Sequence, residues 1–309
     1  MTYSEDSINS IVLQRRFGEP VATIYLDHNY VSDVAGHTRI ANADDERALA
    51  MEIAQSDRFR FAVSVWNIYE VARAGFEQTR EGCIQYIEML KPLYCSNPRL
   101  VQRQELLTYL AKQGHDHPYR TEAPSPFCET IPRMWATYPF AIPFVDEDFR
   151  LAVGFMLDKK NTDAIDDALS EGPDAAQAGR DAFKEGAVDG NVEVIDQEWL
   201  LALLPERKED GEFVTVQARL ELIGLLMRDM TAVYAACPAI HTEEQLVRYR
   251  IASDRKLKVS DGVDTQFLIV AACYCDYLVT GDKALREAFS DVTGKIGANC
   301  KLLASLAEL

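Results

Sequence analysis

The chain has 309 residues, of which 48% are hydrophobic and 26% charged, and carries a formal net charge of −17. The length exceeds the usual single domain and predicts one large domain or a core with an inserted subdomain. The composition excludes wholesale disorder, and the acidic balance argues against a broad nucleic-acid-binding face, which needs clustered Lys and Arg.

The longest apolar run, Phe267 to Cys275, is too short to span a bilayer. Residues 1–20 lack the basic-then-apolar order of a secretory signal, so a cytoplasmic protein with no membrane partner is expected. Seven cysteines are scattered without a CxxC pair, which supports neither a zinc ribbon nor a disulfide framework. Cys273 and Cys275 read as small hydrophobes in a buried helix.

In chain order, residues 1–20 show no clear pattern and suit a loose arm or a short surface helix. Ala22 to Leu26 is β-branched and apolar and predicts a short buried strand ending on Asp27. The residues from His28 to Val34 suit a turn running into a helix. A second helix is expected over Asp44–Gln55, with Leu49, Ala50 and Ile53 on its apolar face. Phe59–Ser64 predicts the next strand, and Trp66–Phe76 a helix capped by Ser64 that carries Glu70. This alternation points to an α/β sheet of parallel strands flanked by helices.

From about Cys95 to Ile240 the sheet signal fades. Apolar periodicity predicts helices over 99–113, 147–157, 162–170, 174–186 and 196–204, and one long helix over 213–236. A loop rich in proline and aromatics, from His115 to Phe144, cannot be a regular helix. The expected organisation is therefore a first part of the α/β domain at 1–94, a large all-helical insertion at 95–240, and the second part of the domain at 241–309. The last part opens with a helix over 242–252 and a basic run. It continues with an acid-led apolar helix from Asp261 and a strand Tyr277–Thr280 ending on Gly281-Asp282. A final strand or helix falls within Cys300–Leu309.

Four carboxylates stand at or near strand ends: Asp27, Glu70, Asp264 and Asp282. In a parallel sheet those ends share one edge, where ligand sites form. Four acids gathered there repel and raise one another's pKa values, so a positive partner is expected. An all-oxygen ligand set favours Mg²⁺ or Mn²⁺ over zinc. A cation held this way is suited to phosphodiester hydrolysis.

Leu26-Asp27-His28-Asn29 after the first strand, then Ser64 and Glu70, then Asp264 with Thr280-Gly281-Asp282 eighteen residues later together resemble the PIN-domain nucleases. The resemblance covers roughly residues 20–92 and 255–309 and leaves out the helical middle. It implies a PIN-like fold and a Mg²⁺- or Mn²⁺-dependent endoribonuclease leaving a 5′-phosphate and a 3′-hydroxyl. Carried over by position, Asp27, Glu70, Asp264 and Asp282 are the catalytic, metal-binding acids. Asn29 and Ser64 orient them, and Thr280 supports the loop holding Asp282. Asp261 is either a fifth acid or the N-cap of the helix carrying Asp264. Arg73, Arg248, Arg250, Arg255, Lys256 and Lys258 are candidates for holding substrate backbone, against the ordinary alternative of a solvated helix face.

RNA is the expected substrate. Two alternatives stand beside it: a structure-specific DNA nuclease using the same acids, and a non-catalytic regulatory or protein-binding module that kept the fold. The insertion suits a lid, a homo-oligomer surface or a docking site for a regulatory protein partner, and the role is open between a toxin-like protein, a phage-defence effector and a housekeeping processor.

Overall fold

The computed structural model describes residues 21–36, 42–115, 117–138, 143–158, 160–162, 177, 181, 194–208, 210–253, 255–256 and 258–309. The N-terminal arm and most of the helices expected at 162–170 and 174–186 lie outside the described residues.

A six-stranded sheet forms the centre, in the order β4-β3-β2-β1-β5-β6. Its strands are β1 (Ala22–Leu26), β2 (Phe59–Val63), β3 (Leu93–Cys95), β4 (Phe127–Cys128), β5 (Tyr277–Val279) and β6 (Lys301–Leu303). All neighbours run parallel except β4, which pairs antiparallel with β3. Alternate residues of the central strands face opposite cores. Ile24, Leu26, Phe61 and Val63 enter one apolar cluster, and Tyr25, Ala62 and Leu278 the other. Strands buried on both faces need apolar residues at nearly every position, which is why β1 and β2 read as continuous runs.

The first cluster packs under α1 (His28–Gly36), α2 (Ala43–Gln55), α3 (Val65–Ala72) and α4 (Glu77–Leu90). In the middle of the chain come α5 (Pro98–Lys112), α6 (Ile131–Trp135), α7 (Phe149–Leu157), α8 (Gln197–Leu203), α9 (Val216–Leu226) and α10 (Met230–Ala236). The remaining helices are α11 (Pro238–Ala252), α12 (Val259–Tyr274) and α13 (Lys283–Ile296). The second cluster is built largely from α12 and α13. A third, wholly helical cluster joins α5 with α8–α11 around Leu106, Leu110, Ile223, Leu226 and Ile240.

Three expectations need correcting. The middle of the chain is not all-helical, because Phe127–Cys128 adds the antiparallel edge strand. Two-residue strands leave almost no periodic signal. From the same stretch, α6 and α7 place Ile131, Met134, Trp135, Phe149 and Val153 in the first sheet cluster. The helix expected over 213–236 is broken by a 3₁₀ turn at Met227–Asp229, after which the Asp229 carboxylate accepts the Ala232 N–H at 3.0 Å and starts a new helix. The helix expected over Trp66–Phe76 ends at Ala72. Among the described residues, no single helix is long and apolar enough to cross a membrane.

Candidate functional site

The chain builds the sheet outward from β1 to β2 and β3, then returns to place β5 on the other side of β1. Connections leave β1 and β5 in opposite directions, which opens a crevice at their carboxyl ends. Asp27 ends β1 and Asp282 follows β5, so both lie at that switch point.

Thr280 ties them together. The β1–β5 register pairs Leu26 with Val279, which sets Asp27 opposite Thr280. The Thr280 hydroxyl donates to Asp27 Oδ2 at 2.7 Å, and its oxygen accepts the Asp282 N–H at 3.1 Å. The Thr280 N–H bonds Leu303 O at 3.0 Å, which locks the loop to β6. Asp282 also N-caps α13, with Oδ1 accepting the Leu285 N–H at 2.9 Å.

Glu70 reaches the crevice from α3. Ser64 caps that helix and shares a capping box with Asn67. Ser64 touches none of the acids. Its hydroxyl lies 2.9 Å from that of Tyr25, while Asn67 Nδ2 donates to Leu26 O at 3.1 Å. It therefore fixes the start of the helix that carries Glu70 rather than orienting a carboxylate. Asp264 arrives from α12. One turn on, Phe267 stacks on the Tyr25 ring with centroids 5.0 Å apart. Tyr25, Asn67 and Phe267 are the positioning residues that the sequence reading missed. The Ser64–Asn67 spacing was the one signal for them.

The four acids share an electrostatic neighbourhood. Burial first, and then the charges of Asp27 and Asp264, push Glu70 up to about 9. Asp264 rises to about 8 through burial and then Asp27, with Asp282 adding to it and Arg250 opposing. Asp27 rises to about 6 through burial, against hydrogen bonds from Thr280 and Asn29 that favour its ionised form, with Asp282 again raising it. Asp27 and Asp264 are thus the centre of the group, with Glu70 and Asp282 on its flanks. His28, the next residue after Asp27, is lowered to about 4 by burial and stays neutral.

Asp261 plays a different part from Asp264. Its Oδ2 accepts the Lys258 N–H at 2.6 Å, its Oδ1 pairs with Arg255, and its carbonyl takes Arg250 and the Thr265 hydroxyl. Both carboxylate oxygens are engaged, so Asp261 secures the start of α12. The basic run is largely committed too. Arg248 pairs with Glu244, and Arg250 and Arg255 converge on Asp261. Arg73 bonds Thr162 at 2.7 Å and lies over the Tyr69 ring. Among the described residues, Lys256 and Lys258 have exposed side chains and no ion pair with an acid.

The donor set is all hard carboxylate oxygen, and its internal repulsion is the kind a divalent cation relieves. Among the described residues, no three His, Cys, Asp or Glu side chains gather closely enough to hold an ion. The acids face one another without a closed ligand shell.

Comparison with protein-family models, with curated proteins and with solved structures returns no match for this chain.

Proposed function

We propose that the chain is a Mg²⁺- or Mn²⁺-dependent endoribonuclease of PIN-like build. The observation that supports this reading is the meeting of the acids at the β1–β5 switch point, where Asp27 raises Glu70 and Asp264, Asp264 raises Glu70, and Asp282 raises Asp27 and Asp264. Buried carboxylates that face one another destabilise a fold, and sites tolerate them where they serve chemistry.

In this reading Asp27, Asp264 and Asp282 hold the cation and Glu70 completes its set. A bound cation orients the scissile phosphate, lowers the pKa of the attacking water and stabilises the charge that builds up during displacement. The chain's own residues prepare that event. Thr280 holds Asp27 in one rotamer and favours its ionised form, and it also fixes the Asp282 backbone. At neutral pH Glu70 and Asp264 keep their protons while Asp27 is mostly ionised, so loading the site releases protons. Lys256 and Lys258, exposed before α12, are placed to meet substrate phosphates.

One observation favours a second reading. The acids do not close into a ligand group among the described residues, and Arg250 already lends Asp264 a positive neighbour. A non-catalytic module with this fold would show both features. Incubating wild type and Asp27→Asn with RNA and with single-stranded and branched DNA, each with Mn²⁺, separates the readings. The nuclease reading expects RNA cleavage by wild type that falls at least a thousandfold in the variant. Equal cleavage by both, or none by either, overturns it. Preference for branched DNA replaces the RNA assignment.

A further inference from the structure

One arginine at the carboxyl edge stands outside the basic run before α12. Arg286 lies in the first turns of α13, half-buried, and its backbone N–H bonds Asp282 O at 2.9 Å. Its Nη1 donates at 3.2 Å to Thr280 O, the first carbonyl past the end of β5. Thr280 is the residue whose hydroxyl joins Asp27 to the Asp282 backbone. Arg286 is therefore moored to the loop that builds the acidic site.

Its charge is not spent within the fold. Among the described residues Arg286 forms no ion pair, although the chain has 49 Asp and Glu against 32 Lys and Arg. An acid four residues ahead of an arginine at a helix start is the favourable order for a pair, and Asp282 stands there. That pair does not form. Asp282 Oδ1 accepts the Leu285 N–H instead, and the guanidinium turns to Thr280 O. The arginine that offsets Asp264 is Arg250, and Arg248 and Arg255 are paired with Glu244 and Asp261. One bond to a carbonyl uses one of the five guanidinium N–H donors. Asp282 is thus left for a cation, and Arg286 for an anion from outside the chain.

We propose that Arg286 binds the backbone of the RNA strand at a phosphate beside the scissile one, on the β5–β6 side of the edge. The identity of the strand rests on the nuclease reading. A planar guanidinium can present two parallel N–H groups to a phosphate, and its charge does not depend on pH. Asp27 is only 2% exposed, so a scissile phosphate reaches the acids only if the strand is held close along the edge. Lys256 and Lys258 stand before α12 and Arg286 follows β5, so the cations flank the acids in the chain on both sides.

Fluorescence anisotropy of a labelled single-stranded RNA with the full chain, in EDTA and over a range of salt, tests the contact. Arg286→Gln should weaken binding about tenfold, the loss of a hydrogen bond to a charged group. It should also make the slope of log affinity against log salt shallower by about 0.7, the value of one phosphate contact on a single strand. Arg286→Lys should keep the slope, and Arg228→Gln, exposed on the helical lobe, should change neither quantity. In Mn²⁺, Arg286→Gln should raise KM for RNA about tenfold and leave kcat within about twofold. The rise in melting temperature on adding Mn²⁺ should persist in that variant, which separates a lost substrate contact from a disturbed acid cluster. An unchanged salt slope in Arg286→Gln, a slope lost equally in Arg286→Lys, or no RNA binding by wild type overturns the proposal. RNA cleavage that Arg286→Gln does not slow overturns it too, and leaves the nuclease reading standing. RNA binding that depends on Arg286 without any cleavage supports the contact and sinks the nuclease reading.

Discussion

Glu70 and Glu105 are both carboxyls that burial pushes far above the ordinary range, to about 9 and about 8. Their company differs. Glu105 sits where the helical lobe meets the sheet layer and accepts the Ala239 N–H at 3.0 Å and the Tyr274 hydroxyl, with the Ile240 N–H also favouring its charge. Around it, Gln102 donates to Glu243 at 2.6 Å and Arg99 pairs with Glu243 at 3.0 Å. Glu70 has no donor among the described residues and faces Asp27 and Asp264 instead. The same contrast recurs within one turn of α12, where Asp261 is fully bonded and Asp264 is not. A satisfied buried acid holds elements together. A buried acid facing other acids weakens the fold and is poised to receive a cation.

The largest expected difference between the two regions is in stability. Glu105→Ala strands the Ala239 and Ile240 N–H groups and the Tyr274 hydroxyl, and should cost about 3 kcal/mol or more in denaturant unfolding. Asp264→Asn in EDTA at pH 9, where the Asp264 carboxyl is ionised, should do the reverse and raise Tm by about 2–4 °C, or ~1 kcal/mol, because it removes a charge from a repelling group. Comparable destabilisation by both variants would make the carboxyl edge another structural seam.

Cation binding should sharpen the same contrast. Mn²⁺ at a hundred times its dissociation constant stabilises a one-site protein by about 2.7 kcal/mol. Wild type and Glu105→Gln should both show that gain, whereas Asp264→Asn and Asp27→Asn should show little of it. A wild type whose melting temperature ignores Mn²⁺ would remove the cation from the proposal altogether.

The pH dependence follows from the direction of the shifts. Glu70, Asp264 and Glu105 all have folded pKa values above their ordinary ones, to about 9, 8 and 8. Each therefore contributes stability that is complete below about pH 4 and is lost as pH rises through the folded value. Metal-free stability should fall between pH 5 and 9 in wild type. Glu70→Gln should flatten the part of that fall nearest pH 9. An unchanged slope in that variant would show that Glu70 titrates normally and is not pressed against the other acids.

How much of this was legible in the sequence depends on where the determinants lie. The acids at strand ends could be found because β1 is a continuous apolar run stopping on Asp27, and Tyr277–Thr280 stops just before Asp282. The parallel order of β1, β2 and β5 could be found for the same reason. Other features are fixed by tertiary partners and leave no local trace. Leu93–Cys95 and Phe127–Cys128 are too short to show a period, and they become strands only because β2 offers an edge to β3 and β3 to β4. Ser64 reads as a local cap, yet its bond to Tyr25 and that of Asn67 to Leu26 O are set by how α3 lies across β1. The arginines before α12 read as free cations because Asp261, which binds Arg255 and Arg250, could equally have been a ligand.

The smallest effect isolates one hydroxyl. Thr280→Val keeps the shape of the side chain but takes the donor from Asp27 Oδ2 and the acceptor from the Asp282 N–H. The loss should be about 1–2 kcal/mol, since one bond to a charged group and one neutral bond disappear. The hydroxyl favours ionised Asp27, so its removal raises that carboxyl further above about 6. Mn²⁺ binding needs the ionised form, so the variant should lose more affinity at pH 6 than at pH 8, and Thr280→Ser should restore both. A purely structural threonine would lower stability equally but leave the pH profile of Mn²⁺ binding where it was. The pH profile therefore discriminates where the melting temperature cannot, and it does so through a residue that is not itself one of the four acids.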